Sequence, residues 1–182
     1  MDPIKKLVDE HRNILAVLES FDQFAATTVS SDFCDRARLG AYVSFIREYA
    51  DKYHHAKEED ILFATMAENG FSRNEGPIAV MLAEHDEGRK YVKFLLEASQ
   101  EPRDLSADER RAVANTIRAY TELLRGHIYK EDNILYPMAN QHLPSESYRL
   151  MALRFDVVEK AREASGEVAR LEALGRELTG RL

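Results

Sequence analysis

The string HHAKEEDILFA at His54–Ala64 returns without gaps as HIYKEDNILYP at His127–Pro137, and no other feature constrains the fold as tightly. The two copies share His, Lys, Glu, Ile and Leu at matching places and differ conservatively at Glu59/Asp132, Asp60/Asn133 and Phe63/Tyr136. Each sets a histidine four residues before a glutamate, His54 with Glu58 and His127 with Glu131. Residues four apart lie on one face of an α-helix, so each pair can grip one site. Imidazole is a good terminal ligand for iron, and a carboxylate can bridge two metal ions with its two oxygens. The spacing alone is weak, because His142 and Glu146 also match it, although Pro144 between them prevents a helix.

The rest of the chain supplies helices for such a site. Its eight glycines and five prolines fall between long stretches rich in Ala, Leu, Glu, Lys and Arg, which predicts an all-α fold. A first helix is expected from about Pro3 to Ala26, with Ile4, Leu7, Val8, His11, Ile14, Leu15 and Leu18 on one stripe. Thr27–Asp32 reads as a turn and a new N-cap. A second helix runs from about Phe33 to Asn69-Gly70, a C-cap signal. A third runs from Pro77 to about Ser99, and Ser106-Ala107-Asp108-Glu109 opens a fourth with a capping-box pattern. After Leu143-Pro144 a fifth helix is expected to continue to near Leu178.

These turns place the histidines. In an up-down bundle, ligands on neighbouring helices share a level when the turn lies midway between them. The midpoints fall at about residue 33 between His11 and His54/Glu58, about 70 between that pair and His85, and about 107 between His85 and His127/Glu131. All three coincide with turns identified independently. Every candidate also lies on its helix's apolar stripe, and inward Glu58 and Glu131 would be costly in a plain apolar core without a partner. The expected metal ligands are therefore His11, His54, Glu58, His85, His127 and Glu131. His55 with Glu59 offers a competing register. Its face passes Glu48, Asp51, Lys52 and Glu59, and the repeat pairs His55 with Ile128, so His55 is expected beside the site or at the surface. His142 is expected in a loop.

Charge and cysteine content narrow the remaining classes. A net charge of −7 argues against nucleic-acid binding. One cysteine, Cys34, excludes an intrachain disulfide and a cysteine-rich cluster site. No run approaches the roughly 18 apolar residues of a membrane span, and the N-terminus lacks an apolar leader, so a cytoplasmic protein is expected.

The stretches EHRNIL around His11, HHAKEEDILF, GPIAVMLAEHDEGRK around His85 and HIYKEDNILYP together resemble hemerythrin-like (HHE cation-binding) domains over about residues 1–140. The strings look most like the di-iron domain of bacterial iron–sulfur-cluster repair proteins. The resemblance implies an up-down four-helix bundle over 1–142, with 143–182 an additional helix that packs on the bundle or forms a homodimer or partner interface. It also implies two Fe ions with an oxo or hydroxo bridge, histidines as terminal ligands and the two carboxylates as bridges. Two departures matter. Oxygen-carrying hemerythrins have a second histidine on the third helix, where this chain has Met81 and Arg89, so the site is expected to be one ligand short. The repair proteins add an N-terminal domain with a cysteine motif, and this sequence starts at the bundle. A ferritin-like site would use Glu-x-x-His at i, i+3 instead.

The expected function is a non-haem di-iron protein that binds or senses dioxygen or a related diatomic such as nitric oxide or peroxide. The alternative is enzyme-like: nitric oxide or peroxide detoxification, or iron donation for cluster repair. In the fifth helix Val157, Ala161, Ala164, Val168, Leu171 and Leu178 suggest one near-heptad stripe, for self-packing or for an interface.

Overall fold

The computed structural model describes residues 2–180, so Met1 of the expected bundle and Arg181 and Leu182 of the expected C-terminal segment lie outside it. The described residues form six helices joined by short turns, and none of these residues forms a strand. Helix α1 is Pro3–Ser30, α2 covers residues 36–68, α3 is Gly76–Gln100, and α4 covers residues 107–142. Beyond the bundle lie α5, Ser145–Ala164, and α6, Glu167–Thr179.

The helix starts follow local chemistry. Asp2 accepts from the N–H groups of Ile4 and Lys5, Asp35 from that of Arg38, and Ser106 with Glu109 forms the expected capping box. One boundary moves: α1 continues through Thr27 and Thr28 to Ser30. Both threonine hydroxyls donate back to Phe24 O inside the helix, and Thr28 is buried, so this polar stretch extends α1 instead of turning it. At the other end of α2, Gly70 takes φ 97°, the left-handed conformation in which glycine ends a helix cheaply.

Helix α1 packs against α4, α4 against α3, and α3 against α2, the up-down arrangement the short turns dictate. Two apolar cores fill the bundle. One gathers Phe21, Tyr42, Phe45, Leu95 and Ile117, and the other Leu7, Leu62, Phe63, Met66 and Tyr136. The layer of buried histidines and glutamates lies between them.

The expected single fifth helix is corrected. It breaks at Ser165-Gly166, with Gly166 at φ 71°, and the chain turns to start α6. The two halves use different faces. On α5 the buried residues are Met151, Phe155 and Glu159, whereas Val157 is 69% exposed and Ala161 and Ala164 are also exposed. On α6 Val168, Leu171 and Leu178 join the core formed by α1 and α2. The stripe is therefore not one seam. Its second half is bundle packing.

Gly175 of α6 sits so close to α2 that a Cβ there would lie 3.0 Å from the Phe45 ring. Gly175→Leu should overpack this contact and cost about 1–3 kcal/mol, lowering the melting temperature by several degrees. A melting curve unchanged from wild type would contradict the close docking of α6.

Candidate metal centre

Each bundle helix delivers its ligand-type residues to one buried layer: His11 from α1, His54, His55 and Glu58 from α2, His85 from α3, and His127 and Glu131 from α4. The six sequence-predicted residues are all brought together and are 0–2% exposed. His55 is the difference. Expected beside the site or at the surface, it is buried, stacks on His85 at 3.8 Å between ring centroids, and joins the cluster.

The reason lies in the winding of α2. Residues Ile46–His55 and Glu58–Leu62 are π-helical, as is Glu131–Leu135 in α4. An α-helix would separate His54 and His55 by about 100° and leave one of them outside. The i→i+5 bonds of a π segment widen the turn, so both rings enter the layer. His142 is the last residue of α4 rather than a loop residue; it is exposed, and its Nδ1 donates to Met138 O.

The rings meet in pairs. His11 Nε2 is 3.0 Å from His54 Nε2, and His85 Nε2 is 3.0 Å from His127 Nε2. Every Nδ1 of these four rings is held by a carboxylate at 2.7–3.0 Å: Glu10 on His54, Glu59 on His85, Glu84 on His127 and Asp132 on His11. The carboxylates run around the bundle, α1 to α2, α2 to α3, α3 to α4, and α4 back to α1. They are anchored in turn: Lys57 donates to Glu10, Lys130 to Glu84, and Arg89 to Glu59. Such outer carboxylates fix a metal-binding histidine as the Nδ1–H tautomer and make it a better donor. The ring also accounts for parts of the repeat that the ligand pattern left unused. Its shared lysine and the acid after each glutamate (Lys57 and Glu59, Lys130 and Asp132) are the orienting parts. The remaining two carboxylates stand immediately before a ligand, in Glu10-His11 and Glu84-His85. These four acids escaped the sequence reading, and the repeated Lys and the Glu-His dipeptides were their available signal.

With each Nδ1–H given to a carboxylate, the two Nε2 atoms of a pair present lone pairs to each other. Only a positive charge between them removes that repulsion, either a proton or a metal ion. The carboxylates agree. Both oxygens of Glu131 and one of Glu58 are buried without a hydrogen-bond partner. Glu131 Oε1 lies 3.0 Å from His127 Nε2 and Oε2 lies 3.3 Å from His11 Nε2, one oxygen toward each pair. Glu58 Oε2 is 3.7 Å from both His54 Nε2 and His85 Nε2, while its other oxygen accepts from Tyr136 at 2.5 Å. Two donor sets result, His11/His54/Glu58/Glu131 and His55/His85/His127/Glu58, each with ligand atoms within 4.8 Å of one another. Unpaired buried carboxylates and facing imidazoles fit a pair of cations sharing carboxylate bridges.

Titration in the metal-free protein follows the same geometry. Burial alone would lower His11 and His127. Asp132 and Glu131 raise His11 to about 9, and Glu131 with Glu84 raises His127 to about 10. Burial, helped by the His11 charge, holds His54 well below the usual range. Burial and the charge of Glu131 push Glu58 well up, while His127 and His11 hold the equally desolvated Glu131 well down.

One side of this layer is reachable. A cavity of about 270 Å³ ends on His55, His85 and His127; Ile46, Val92, Leu96, Tyr120 and Leu124 line its apolar part, and exposed Arg47 and Lys93 also border it. His11 and His54 do not line it.

Residues 2–139 match the hemerythrin HHE cation-binding domain. The chain belongs to that family, and all seven inward residues lie in the matched stretch. It is 31% identical over 103 residues to the iron-sulfur cluster repair protein YtfE of Cronobacter sakazakii and to that of Escherichia coli K12, covering 56% of this chain and 46% of each relative. With YtfE of Salmonella paratyphi B it shares 31% identity over 137 residues, 72% of this chain and 60% of the relative. The chain thus spans about half the length of the curated relatives it matches. Family membership and the histidine–glutamate clusters together imply iron binding. No described helix is long and apolar enough to cross a membrane.

Because His11 and His127 hold protons at neutral pH, metal must displace them. Loading the metal-free protein with two divalent ions at pH 7.5 should release about two protons per chain or more, and affinity should rise with pH until about 10. Calorimetry in buffers of different ionisation enthalpy measures this. Release of fewer than one proton would contradict the facing-pair geometry.

Proposed function

We propose that the chain is a non-haem di-iron protein that binds or senses dioxygen or a related diatomic such as nitric oxide or peroxide. One iron is assigned to His11 and His54, the other to His55, His85 and His127, with Glu58 and Glu131 shared and an oxo or hydroxo bridge between the metals. The observation that carries this reading is the cavity, which ends on the histidines of one donor set and is bordered by none from the other pair. A small ligand can then approach the His55/His85/His127 position, where it would have to displace one of six donors, while the His11/His54 position, which holds the vacancy, is not reached by this cavity.

His55 changes the expected ligand count. Five histidines, two bridging carboxylates and one oxygen bridge would leave about one of the twelve positions of two six-coordinate irons open, and it falls on the His11/His54 iron, because three histidines fill the other. The site is no longer one ligand short, because the fifth histidine comes from α2 instead of α3. Two bound irons would supply reversible redox chemistry and that single vacancy. The protein's residues do the rest. Apolar walls at Val92, Leu96 and Leu124 limit water, and Tyr136 holds one oxygen of Glu58 through its hydroxyl. Near the second donor set Arg89 pairs with Asp51 and Glu59; against the cost of burial, the bonds to His85 and then Arg89 bring the Glu59 carboxyl down to about 2, which keeps it ionised.

An enzyme-like role, or iron donation for cluster repair, is supported by the similarity to relatives named iron-sulfur cluster repair proteins. The two readings separate in one experiment. The iron-loaded protein is reduced anaerobically and given one pulse of oxygen. A long-lived oxygenated spectrum is the expected result; rapid consumption with product release would favour the enzyme. His55→Ala should keep iron but open a second position and shorten that lifetime by an order of magnitude or more. An unchanged lifetime would remove His55 from the coordination set.

A further inference from the structure

The carboxylate ring is built twice from similar parts, and the two copies differ most in how their lysines are covered. The Lys130 side chain, which holds Glu84, is 35% exposed. Its counterpart Lys57, which holds Glu10, is 1% exposed. Helix α5 covers it and sets Glu159 2.6 Å from its ammonium. Glu159 is 1% exposed, accepts from the Tyr53 hydroxyl at 2.8 Å, and lies 3.0 Å from Lys6. It also lies beyond the stretch that matches the family. A buried acid from outside the matched domain thus ends the chain Glu159–Lys57–Glu10–His54.

We propose that Glu159 is a positioning residue of the metal centre, acting through Lys57 and Glu10 on His54, and that it makes the two metal positions unequal. This rests on the reading that the clustered histidines hold metal. Lys57 has three donors: one meets Glu10, one Glu159, and the ammonium also sits 3.7 Å from the Tyr53 ring centroid. The two lysines and two glutamates of this array cancel in charge, which lets them be buried together; removing one partner leaves an uncompensated charge. Glu159 also divides the pull of Lys57. Without it the ammonium turns wholly to Glu10 and draws electron density from the carboxylate that receives the His54 Nδ1–H. His54 then becomes a weaker ligand, because outer hydrogen bonds set the basicity of a coordinating imidazole. Among the described residues no corresponding acid covers Lys130, so the effect belongs to the His11/His54 position alone.

The test is titration of the full-length metal-free protein with cobalt(II), read by its visible absorption in competition with a chelator. Wild type should take up two ions. Glu159→Gln should weaken one of them roughly 10–100-fold and change its spectrum, leaving the other unchanged. Lys6→Gln should act in the opposite direction. With Lys6 gone, Glu159 pulls Lys57 away from Glu10 and Glu10 also loses the Lys6 ammonium at 3.9 Å, so the carboxylate on His54 is less neutralised and the same ion should bind several-fold tighter. Lys6 is 24% exposed, so this variant tests the relay even if Glu159→Gln does not fold. The proposal is overturned if Glu159→Gln only lowers the melting temperature while both affinities and spectra stay put. Equal weakening of both ions, or an unchanged affinity in Lys6→Gln, overturns it too. Wild type that binds no cobalt would fail one step earlier, at the metal-site reading.

Discussion

The structure turns on two pairs of imidazole nitrogens that face each other at 3.0 Å, close enough to need a proton or a metal ion between them. Nothing in an apolar core would bring four histidines into that arrangement, since each pair repels unless a positive charge lies between. The arrangement is enforced from behind. Glu10, Glu59, Glu84 and Asp132 each take one Nδ1–H and so fix which nitrogen looks inward. The metal layer is therefore preorganised by hydrogen bonds that run once around the bundle, every helix orienting a histidine of the next.

This constraint explains the rest of the molecule. A layer of buried charge splits the core in two, with aromatic packing around Phe21, Tyr42 and Phe45 on one side and Phe63, Met66 and Tyr136 on the other. The π-helical stretches of α2 and α4 occur where ligands must be placed, at His54, His55, Glu58 and Glu131. They exchange ideal helix winding for the position of side chains, as local irregularities at functional sites often do. The two halves of the site then diverge. One is approached by an apolar cavity, the other is sealed by α5 with its buried Glu159.

Much of this was legible in the sequence, and the exceptions have physical causes. The repeated H-x-x-x-E pairs and the turn midpoints located all four helices and six of the seven inward residues, because helical periodicity and loop position are local properties. His55 was left beside the site or at the surface because its inward turn accompanies π winding, which a 3.6-residue period cannot express. The outer carboxylates were written in the repeat as Lys57/Glu59 and Lys130/Asp132 and in the Glu-His dipeptides, yet only the folded bundle tells which histidine each one faces. Gly166 breaks the C-terminal helix, and an apolar spacing across it masked the stop signal of Ser165-Gly166. Glu159 carries no local mark at all; its role comes from tertiary contact with Lys57.

The central claim is that two metals lie between these imidazoles, bridged by Glu58 and Glu131. Anomalous diffraction from the iron-loaded protein at the iron edge tests it most directly. The account predicts two peaks per chain, roughly 3.5–4 Å apart as in other two-metal sites, one against His11 and His54 and one against His55, His85 and His127. A single peak, or a second peak with the His55 ring turned away from it, would contradict the account.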